Sequence, residues 1–311
     1  MSTSRRPLRQ PNGSSGRRRA ALSIDLSLMV NEMDTKIQRP SVTDKRRAFR
    51  ALHQKGCFVL PNPWDVGSAR MLQYLGFLGL ASTSTGFAWA SGLPDYAVRR
   101  AEVLRHLTAL CRAVDIPVNA DFESGFASDP EGVAVSVRLA LDAGVAGLSI
   151  EDRNLGGAPD ELYDGPKAVE RVRAARESID SSGTDAVLVA RTELLLIESS
   201  AIGTAIDRLV AFAEAGADCL YAPGVQKRED IAALVRAVSP KPLNVVMSAP
   251  SLTVAELADL GVRRISIGGA LARVAWAAAI GAAEKIKSGS FDGLAGGTPG
   301  TRLNGMFGQF D

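Results

Sequence analysis

The sequence is poor in the residues that carry disulfide, zinc and imidazole chemistry. Its three cysteines, Cys57, Cys111 and Cys219, lie far apart and form no paired metal-ligand spacing. This spacing argues against a disulfide framework or a structural zinc site and favours a reducing compartment. Only two histidines occur, His53 and His106, and both fall in predicted helices. We therefore expect neither a Ser-His-Asp triad nor another histidine base.

Aromatic residues, net charge and long apolar runs are also scarce. Aromatic residues make up 5% of the 311 residues and hydrophobic residues 46%, so the core must consist mainly of Ala, Val, Leu and Ile, which is typical of parallel sheets covered by helices. The formal net charge of +2 is near balance and indicates no nucleic-acid partner. Since no apolar run approaches the roughly 20 residues that cross a bilayer, we expect a cytoplasmic protein without membrane contact.

The N-terminal segment differs in composition from the rest of the chain. Residues 1–24 are rich in Arg and Ser and contain no acid, a composition that resembles a targeting sequence. The Arg5-Arg6 pair is not followed by an apolar stretch, which argues against an export signal. We interpret residues 1–43 as a disordered basic tail and residues 288–311 as a loosely ordered, Gly-rich C-terminal tail.

Between these segments, residues 44–287 alternate short apolar runs with longer stretches of helical periodicity, the pattern of repeated β-α units. Eight such units predict an α/β fold, a (β/α)8 TIM barrel, because an open sheet of eight strands would need a reversal of strand order that the sequence does not mark. A doubly wound sheet is the alternative. The predicted strands are Cys57 to Trp64, Phe77 to Thr85, Ile116 to Ser124, Val145 to Asp152, Ala186 to Glu193, Cys219 to Gly224, Pro242 to Ser248 and Arg264 to Gly269.

Carboxylates stand at the ends of two neighbouring predicted strands, where barrels place their functional groups. Asp121 and Glu123 are two residues apart, which predicts the same face of one strand, and Glu151 ends the next strand. Three acids that meet at one rim repel each other unless a cation is present. Oxygen ligands favour Mg²⁺ or Mn²⁺ over zinc. The alternative is a set of helix caps and salt bridges with Arg153 or Arg191.

Arg191 ends a strongly apolar run, so we expect its guanidinium to reach the barrel mouth, where it suits a substrate carboxylate. A structural ion pair with Glu151 or Glu193 is the other interpretation of this residue. The Ser82–Thr85 run supplies hydroxyl and backbone N–H groups at another strand end. Such donors suit the binding of a carboxylate or an oxyanion.

Several motifs at these strand ends together resemble the isocitrate lyase/phosphoenolpyruvate mutase superfamily, in particular its phosphoenolpyruvate mutase-like branch. The resemblance covers residues 44 to 285 and rests on Asn62-Pro63-Trp64-Asp65, Gly92-Leu93-Pro94-Asp95, Asp121-Phe122-Glu123-Ser124-Gly125-Phe126, Ser149-Ile150-Glu151-Asp152, Ala190-Arg191-Thr192-Glu193 and Ser266-Ile267-Gly268-Gly269-Ala270.

The resemblance implies a barrel that exchanges its eighth helix with a neighbour, in a homodimer or homotetramer. It also implies a Mg²⁺ ion that binds a small 2-oxo carboxylic acid or its enolate. Carried over by position, the metal residues are Asp121, Glu123 and Glu151, the catalytic residues are Arg191, Asp95 and Glu151, and the substrate-binding residues are Thr83, Ser84, Thr85 and Arg191.

The loop after the fourth strand departs from the superfamily pattern. Isocitrate and methylisocitrate lyases carry a Cys there as general acid, whereas residues 152 to 162 of this chain contain no Cys and no Lys. The Lys and Asn pattern of the mutases is missing as well. We therefore expect a Mg²⁺-dependent lyase for a small 2-oxo or 2-hydroxy di- or tricarboxylic acid, by carbon-carbon cleavage or decarboxylation. The alternatives are a phosphonopyruvate-type mutase or hydrolase and a barrel that only binds a keto acid.

Overall fold

The computed structural model describes residues 39–158 and 160–310. Most of the tail predicted for residues 1–43 lies outside this part of the chain. Within it, helix α1 (Val42–Leu52) already begins before the predicted boundary, because the Ser41 side chain accepts a hydrogen bond from the Asp44 backbone N–H and caps the helix.

Eight parallel strands form one sheet in the order β1-β8-β7-β6-β5-β4-β3-β2. The ends of this order meet, since the Ala81 backbone N–H donates to the Pro61 carbonyl over 3.1 Å. The predicted (β/α)8 barrel is therefore confirmed, and the doubly wound alternative is wrong. The strands are β1 (Phe58–Leu60), β2 (Leu80–Ala81), β3 (Val118–Asp121), β4 (Gly147–Glu151), β5 (Val187–Arg191), β6 (Cys219–Tyr221), β7 (Leu243–Val246) and β8 (Arg264–Ser266).

A helix follows each strand, as the repeated β-α units predict. Asp65, Asp129, Asp164 and Thr253 each cap the helix that follows by accepting a backbone N–H, as expected for short polar residues at helix starts. After α1 the helices are α2 (Val66–Tyr74), α3 (Ser84–Ala90), α4 (Arg100–Ala113), α5 (Pro130–Asp142), α6 (Gly165–Ser181), α7 (Leu194–Ile197), α8 (Ile202–Glu214), α9 (Arg228–Val238), α10 (Val254–Asp259), α11 (Ala270–Lys287) and α12 (Gly300–Phe307).

The strands are shorter than the predicted apolar runs, most clearly at β2. The run was predicted to continue to Thr85, but the strand ends at Ala81 and α3 begins at Ser84. The reason is local: the Thr83 hydroxyl accepts from the Gly86 backbone N–H and caps a helix at this point. The hydroxyl groups of the run therefore lie on a strand-to-helix turn.

Helix α1 closes the N-terminal end of the barrel. Its basic side chains donate to carbonyl groups at the C-terminal ends of α4 and α5 and in the loops that follow: Lys45 to Cys111 and Val114, and Arg46 to Leu141 and Val145. Phe49 is fully buried in a small cluster inside the barrel, separate from the larger apolar cluster that the helices share with the sheet. The strands finish at the opposite end, where barrels carry their functional groups.

The C-terminal segment contains more structure than the sequence indicated. Residues 300–307 form α12, whose Met306 is buried, and Arg70 of α2 stacks on the Phe310 ring at 5.2 Å. The loose order expected from the glycine content is not seen there. The Met306 and Phe310 side chains hold this segment against the rest of the protein. Over the described residues, no helix has the length and apolar character required to cross a bilayer.

Candidate active site

A cavity of about 330 Å³ opens where the strands end, a volume suited to a small ligand. The predicted residues Thr83, Ser84, Thr85, Asp95, Asp121 and Arg191 all line it. Glu123 and Glu151 do not line the cavity and are buried behind its wall.

Asp121, the last residue of β3, is held by the turn after β2. Its Oδ2 atom accepts the Ser84 backbone N–H at 3.0 Å and the Ser84 hydroxyl at 2.9 Å. The Asp121 backbone N–H in turn donates to the Ser82 hydroxyl at 2.9 Å. The Ser-rich turn thus fixes the carboxylate at the cavity wall, where the Asp121 side chain is 16% exposed.

Arg191, the last residue of β5, is surrounded by carboxylates. Its Nε and Nη2 atoms both donate to the Glu193 carboxylate, Nη2 over 2.9 Å. Its Nη1 atom lies 3.3 Å from Asp121 Oδ1 and 3.4 Å from Glu151 Oε2. Burial alone would lower the pKa of Arg191, but Glu193 and Glu151 outweigh this effect and hold the pKa well above its usual value. Arg191 is therefore a permanent cation that three acids position, and the ion pairs considered from the sequence do form.

Glu151, the last residue of β4, is buried, and one of its oxygens has no partner. Burial raises the pKa of Glu151 well above its usual value, with Glu193, Asp121 and Glu123 adding to this effect and Arg191 opposing it. Its Oε1 atom makes no hydrogen bond within the described residues. An unpaired buried carboxylate oxygen is costly, so this atom is a candidate to bind a metal ion or a metal-held water.

Glu123 does not lie on a strand face, contrary to the spacing argument. β3 ends at Asp121, and Glu123 follows in a turn with a φ of 48°, a left-handed conformation that is uncommon for a residue with a side chain. Its backbone carbonyl accepts from the Glu151 N–H at 3.0 Å. Burial, together with the nearby Asp121 and Asp95, raises the pKa of the Glu123 carboxyl to about 8.

The three acids come close to each other but do not form a ready-made metal cluster. Over residues 39–158 and 160–310, no three His, Cys, Asp or Glu side chains are grouped so that they could hold an ion directly. Asp121, Glu123 and Glu151 are therefore not preformed as a set of three direct ligands, and their role toward a metal ion stays a prediction. The physical reason is that the Arg191 guanidinium bridges Asp121 and Glu151 and neutralises part of their repulsion.

Asp95 and Tyr96 form the part of the wall that comes from the loop after α3. Asp95 Oδ2 accepts the Thr85 hydroxyl at 2.7 Å. Tyr96 has a φ of 62°, and the Arg153 guanidinium lies 3.8 Å from the centre of its ring. Arg153 comes from the loop after β4, so at this point of the cavity a cation lies against an aromatic ring.

Sequence reasoning missed several residues that line the cavity. Tyr96 follows a quoted motif but carried no signal of its own. The others are polar residues at inward positions of otherwise apolar strands, and polar side chains within predicted strands are the signal that could have found them. They are Asn119, Tyr221, Asn244 and Arg264.

Comparisons with known proteins agree with this geometry. Residues 49–287 match the phosphoenolpyruvate phosphomutase family model. A crystal structure of a candidate lyase or mutase from Burkholderia cenocepacia has 43% identity and a TM-score of 0.83, covering 86% of this chain and 97% of that one. An oxaloacetate decarboxylase of Rhodopseudomonas palustris is 30% identical over 85% of this chain and 89% of its own.

A third comparison concerns an enzyme with bound product. The structure of an oxaloacetate acetylhydrolase in complex with oxalate has 28% identity and a TM-score of 0.78, covering 86% of this chain and 95% of that one. Strand-end motifs, barrel topology and a family match over most of the chain therefore lead to one assignment: the chain belongs to the phosphoenolpyruvate phosphomutase family.

Proposed function

We propose that this protein is a Mg²⁺-dependent carbon-carbon lyase that acts on a small 2-oxo or 2-hydroxy dicarboxylic acid, with oxaloacetate as the first candidate. The observation that carries the proposal is the group of Asp121, Glu151 and Arg191 at adjacent strand ends beside one small cavity. The named activities of the relatives, a decarboxylase and an acetylhydrolase of oxaloacetate, support the substrate class.

The acids at this site fit a magnesium ion better than a metal that needs many protein ligands. Mg²⁺ keeps several waters and binds through one or two carboxylates, so a direct three-acid cluster is not required. Asp121, at the cavity wall, would hold the ion directly, and Glu151, with its unpartnered oxygen, and Glu123 would hold its waters. Mn²⁺ suits the same oxygen ligands. When bound, such an ion supplies Lewis acidity to a carbonyl oxygen.

The chain's own residues provide the remaining chemistry. Arg191 places a fixed positive charge where negative charge develops on the substrate oxygen, which lowers the barrier to enolate formation. The turn of Thr83, Ser84 and Thr85 offers hydroxyl and N–H groups to the carboxylate next to the keto group. Asp95, held by Thr85, is the group that we assign to proton transfer at the substrate carbon.

Decarboxylation suits a loop without a general acid. When the carbon-carbon bond of oxaloacetate breaks, carbon dioxide leaves without needing a proton, and the electron pair remains on the pyruvate enolate. The proton is then added to carbon from Asp95 or from water. The absence of Cys and Lys in residues 152 to 162 therefore removes no group that this reaction needs.

A substrate panel tests the proposal. Purified protein with Mg²⁺ is incubated with oxaloacetate, dimethylmalate, methylisocitrate or phosphonopyruvate, and pyruvate, oxalate and phosphate are measured. We expect product from oxaloacetate and its loss when EDTA is added. Turnover of phosphonopyruvate alone would favour the mutase or hydrolase alternative. Tight binding of a keto acid without any product would favour a barrel that only binds its ligand.

We also propose that the enzyme is cytoplasmic and works as a homo-oligomer. The three cysteines, all within the described residues, are free thiols, as expected in a reducing compartment. Of the 18 residues of α11, only Ala272 is buried, and Val274, Trp276 and Ile280 are 67%, 44% and 53% exposed. A helix that follows a barrel strand normally packs on the barrel, so the natural cover for this apolar surface is a second copy of the chain.

A further inference from the structure

One buried cation in the cavity plays no part in the reaction described above. Arg264 is the first residue of β8, only 3% exposed, and it lines the cavity. Its neighbour Arg263 points the opposite way, as alternate strand residues do, and donates to the Gly56 carbonyl at the surface. The two arginines therefore have the same chemistry and different environments.

Arg264 lies deeper in the barrel than Arg191. The strand register places Arg191, Tyr221, Asn244 and Arg264 in one row across β5 to β8. Barrel strands tilt by about 36° and lie about 4.8 Å apart, so a row that crosses three strands descends by roughly 8 Å. Arg191 ends its strand while Arg264 begins its own, so the descent runs from the mouth toward the closed end.

The hydrogen bonds of Arg264 are incomplete. Its Nη1 donates to Asn119 Oδ1 at 3.4 Å, and its Nε has no partner among the described residues. Within the same part of the chain, no carboxylate forms a salt bridge with it, whereas Arg191 has three. A buried charge without a counter-charge is strongly unfavourable, so this end of the cavity is suited to an anion.

The surrounding layer departs from an ordinary barrel core. Barrel interiors are usually filled with bulky branched residues, but here Asn119, Asn244 and Arg264 point inward. Gly147 leaves the room that this arrangement needs, since a Cβ atom there would lie 3.0 Å from Asn119 Oδ1. Polar groups thus replace apolar filling at the bottom of the cavity, which we call the polar floor (Asn119, Asn244 and Arg264).

We propose that the polar floor is an anion subsite, in which Arg264 binds the far carboxylate of a dicarboxylate substrate while the group at the strand ends holds the keto or hydroxy end. This inference rests on the proposed function and adds to it the residue that selects dicarboxylates. A guanidinium matches a carboxylate with two parallel hydrogen bonds, and Asn119 orients it from one side. Arg264 then selects substrates by the far carboxylate, which leaves as carbon dioxide in a decarboxylation and stays on one of the products in another carbon-carbon cleavage.

Two ligands that differ only in the far carboxylate test the inference without turnover. Malate and 2-hydroxybutyrate share the hydroxy acid end, but 2-hydroxybutyrate carries a methyl group in place of the second carboxylate. In calorimetric titrations with Mg²⁺ present, we expect the wild-type protein to bind malate at least tenfold more tightly. Arg264→Met should lose at least tenfold for malate and keep its affinity for 2-hydroxybutyrate, whereas the matched control Arg263→Met should change neither.

Three results would overturn the inference. Equal wild-type affinity for the two ligands would do so without any variant, and this measurement stands even if Arg264→Met does not fold. Equal losses for both ligands in Arg264→Met and Arg264→Lys, with unchanged circular dichroism, would indicate a purely structural residue. Wild-type protein that binds neither ligand would refute both the anion subsite and the proposed substrate class. Selective binding of malate without lyase activity would support the anion subsite and refute the proposed reaction.

Discussion

At the scale of single residues, the chemistry of this site depends on which carboxylates the Arg191 guanidinium contacts. Arg191 has three carboxylate neighbours. Asp121 and Glu193 line the cavity, and Asp121 in addition accepts hydrogen bonds from the β2 turn. Asp121 therefore links the turn that we assign to substrate binding, the fixed positive charge and the proposed metal position. Its charge, more than its shape, is the property that the reaction needs.

We predict that Asp121→Asn lowers kcat/KM for oxaloacetate by at least about 100-fold, the size of effect seen when one preorganised electrostatic group is lost. The fold should be kept, because an amide oxygen can still accept from Ser84. Steady-state kinetics across a Mg²⁺ titration measure the effect. Asp129→Asn, at the cap of α5, is the matched control, since asparagine caps helices as well as aspartate. Near wild-type activity in Asp121→Asn would remove Asp121 from the mechanism.

The two histidines make folding sensitive to acid. Burial lowers the pKa of His53 to about 3, with Arg264 contributing, and burial lowers the pKa of His106 to about 4. An unfolded chain takes up these protons near pH 6.5 and the folded chain does not. Stability is therefore complete above about pH 6.5 and declines as the pH falls from there toward the folded pKa values.

We predict a loss on the order of 1 kcal/mol per histidine in the free energy of unfolding one pH unit below 6.5. Urea unfolding at pH 7.5 and pH 5.5 measures it. In His53→Gln and His106→Gln, which cannot titrate, the difference between the two pH values should shrink by that amount. An unchanged difference in both variants would assign the acid sensitivity to other groups.

Residue-level prediction from the sequence succeeded where the residue type and the strand end together defined a position. Asp121, Glu151 and Arg191 each end a strand, so their meeting at one rim could be foreseen. The predicted place of Glu123 on the strand face is wrong, because β3 ends at Asp121 and Glu123 follows in a left-handed turn. Arg264 carried no such signal, because it begins its strand instead of ending it.

At the scale of elements, periodicity located all eight strands, since alternating apolar runs and amphipathic stretches are local properties. It did not predict the short helices α3 and α7 that directly follow β2 and β5. The exact ends of the strands and helices depend on contacts with residues elsewhere in the chain. β2 is cut short by the Thr83 cap, and α12 forms because Met306 and Phe310 find partners far away in sequence. Tertiary contacts of this kind leave little trace in composition.

Strand β4 contains a position where the barrel tolerates little added volume. A Cβ atom at Gly147 would lie 2.7 Å from the Val187 carbonyl and 2.8 Å from the Phe49 ring. We predict that Gly147→Ala destabilises the protein by about 1–3 kcal/mol, the usual cost of overpacking a core. Gly165→Ala, with no atom within 4 Å of the added carbon, is the control. Thermal unfolding of the two variants measures the difference. Equal melting temperatures would mean that the backbone and side chains around Gly147 move aside at little cost.

At the scale of the whole molecule, the exposed surface of α11 is the feature that one chain does not explain. Ile280 and Trp276 border, together with Trp89 and Leu93, an apolar groove beside the loop that carries Asp95. A large exposed apolar patch marks an interaction site. A partner bound in this groove would also hold the loop after α3 that carries Asp95. Assembly would then stabilise the arrangement of the active site.

We predict that Ile280→Glu converts the assembly to monomers and lowers activity, because a charge would have to be buried in an apolar contact between copies. Light scattering coupled to size-exclusion chromatography gives the mass of each species. Val135→Glu on α5, an equally exposed apolar position at 52%, controls for the added charge and should leave the mass unchanged. A monomeric wild-type protein would refute this use of α11, as would an Ile280→Glu variant of full oligomer mass. A monomer that retains full activity would separate assembly from catalysis, since the loop with Asp95 would then keep its place without a partner.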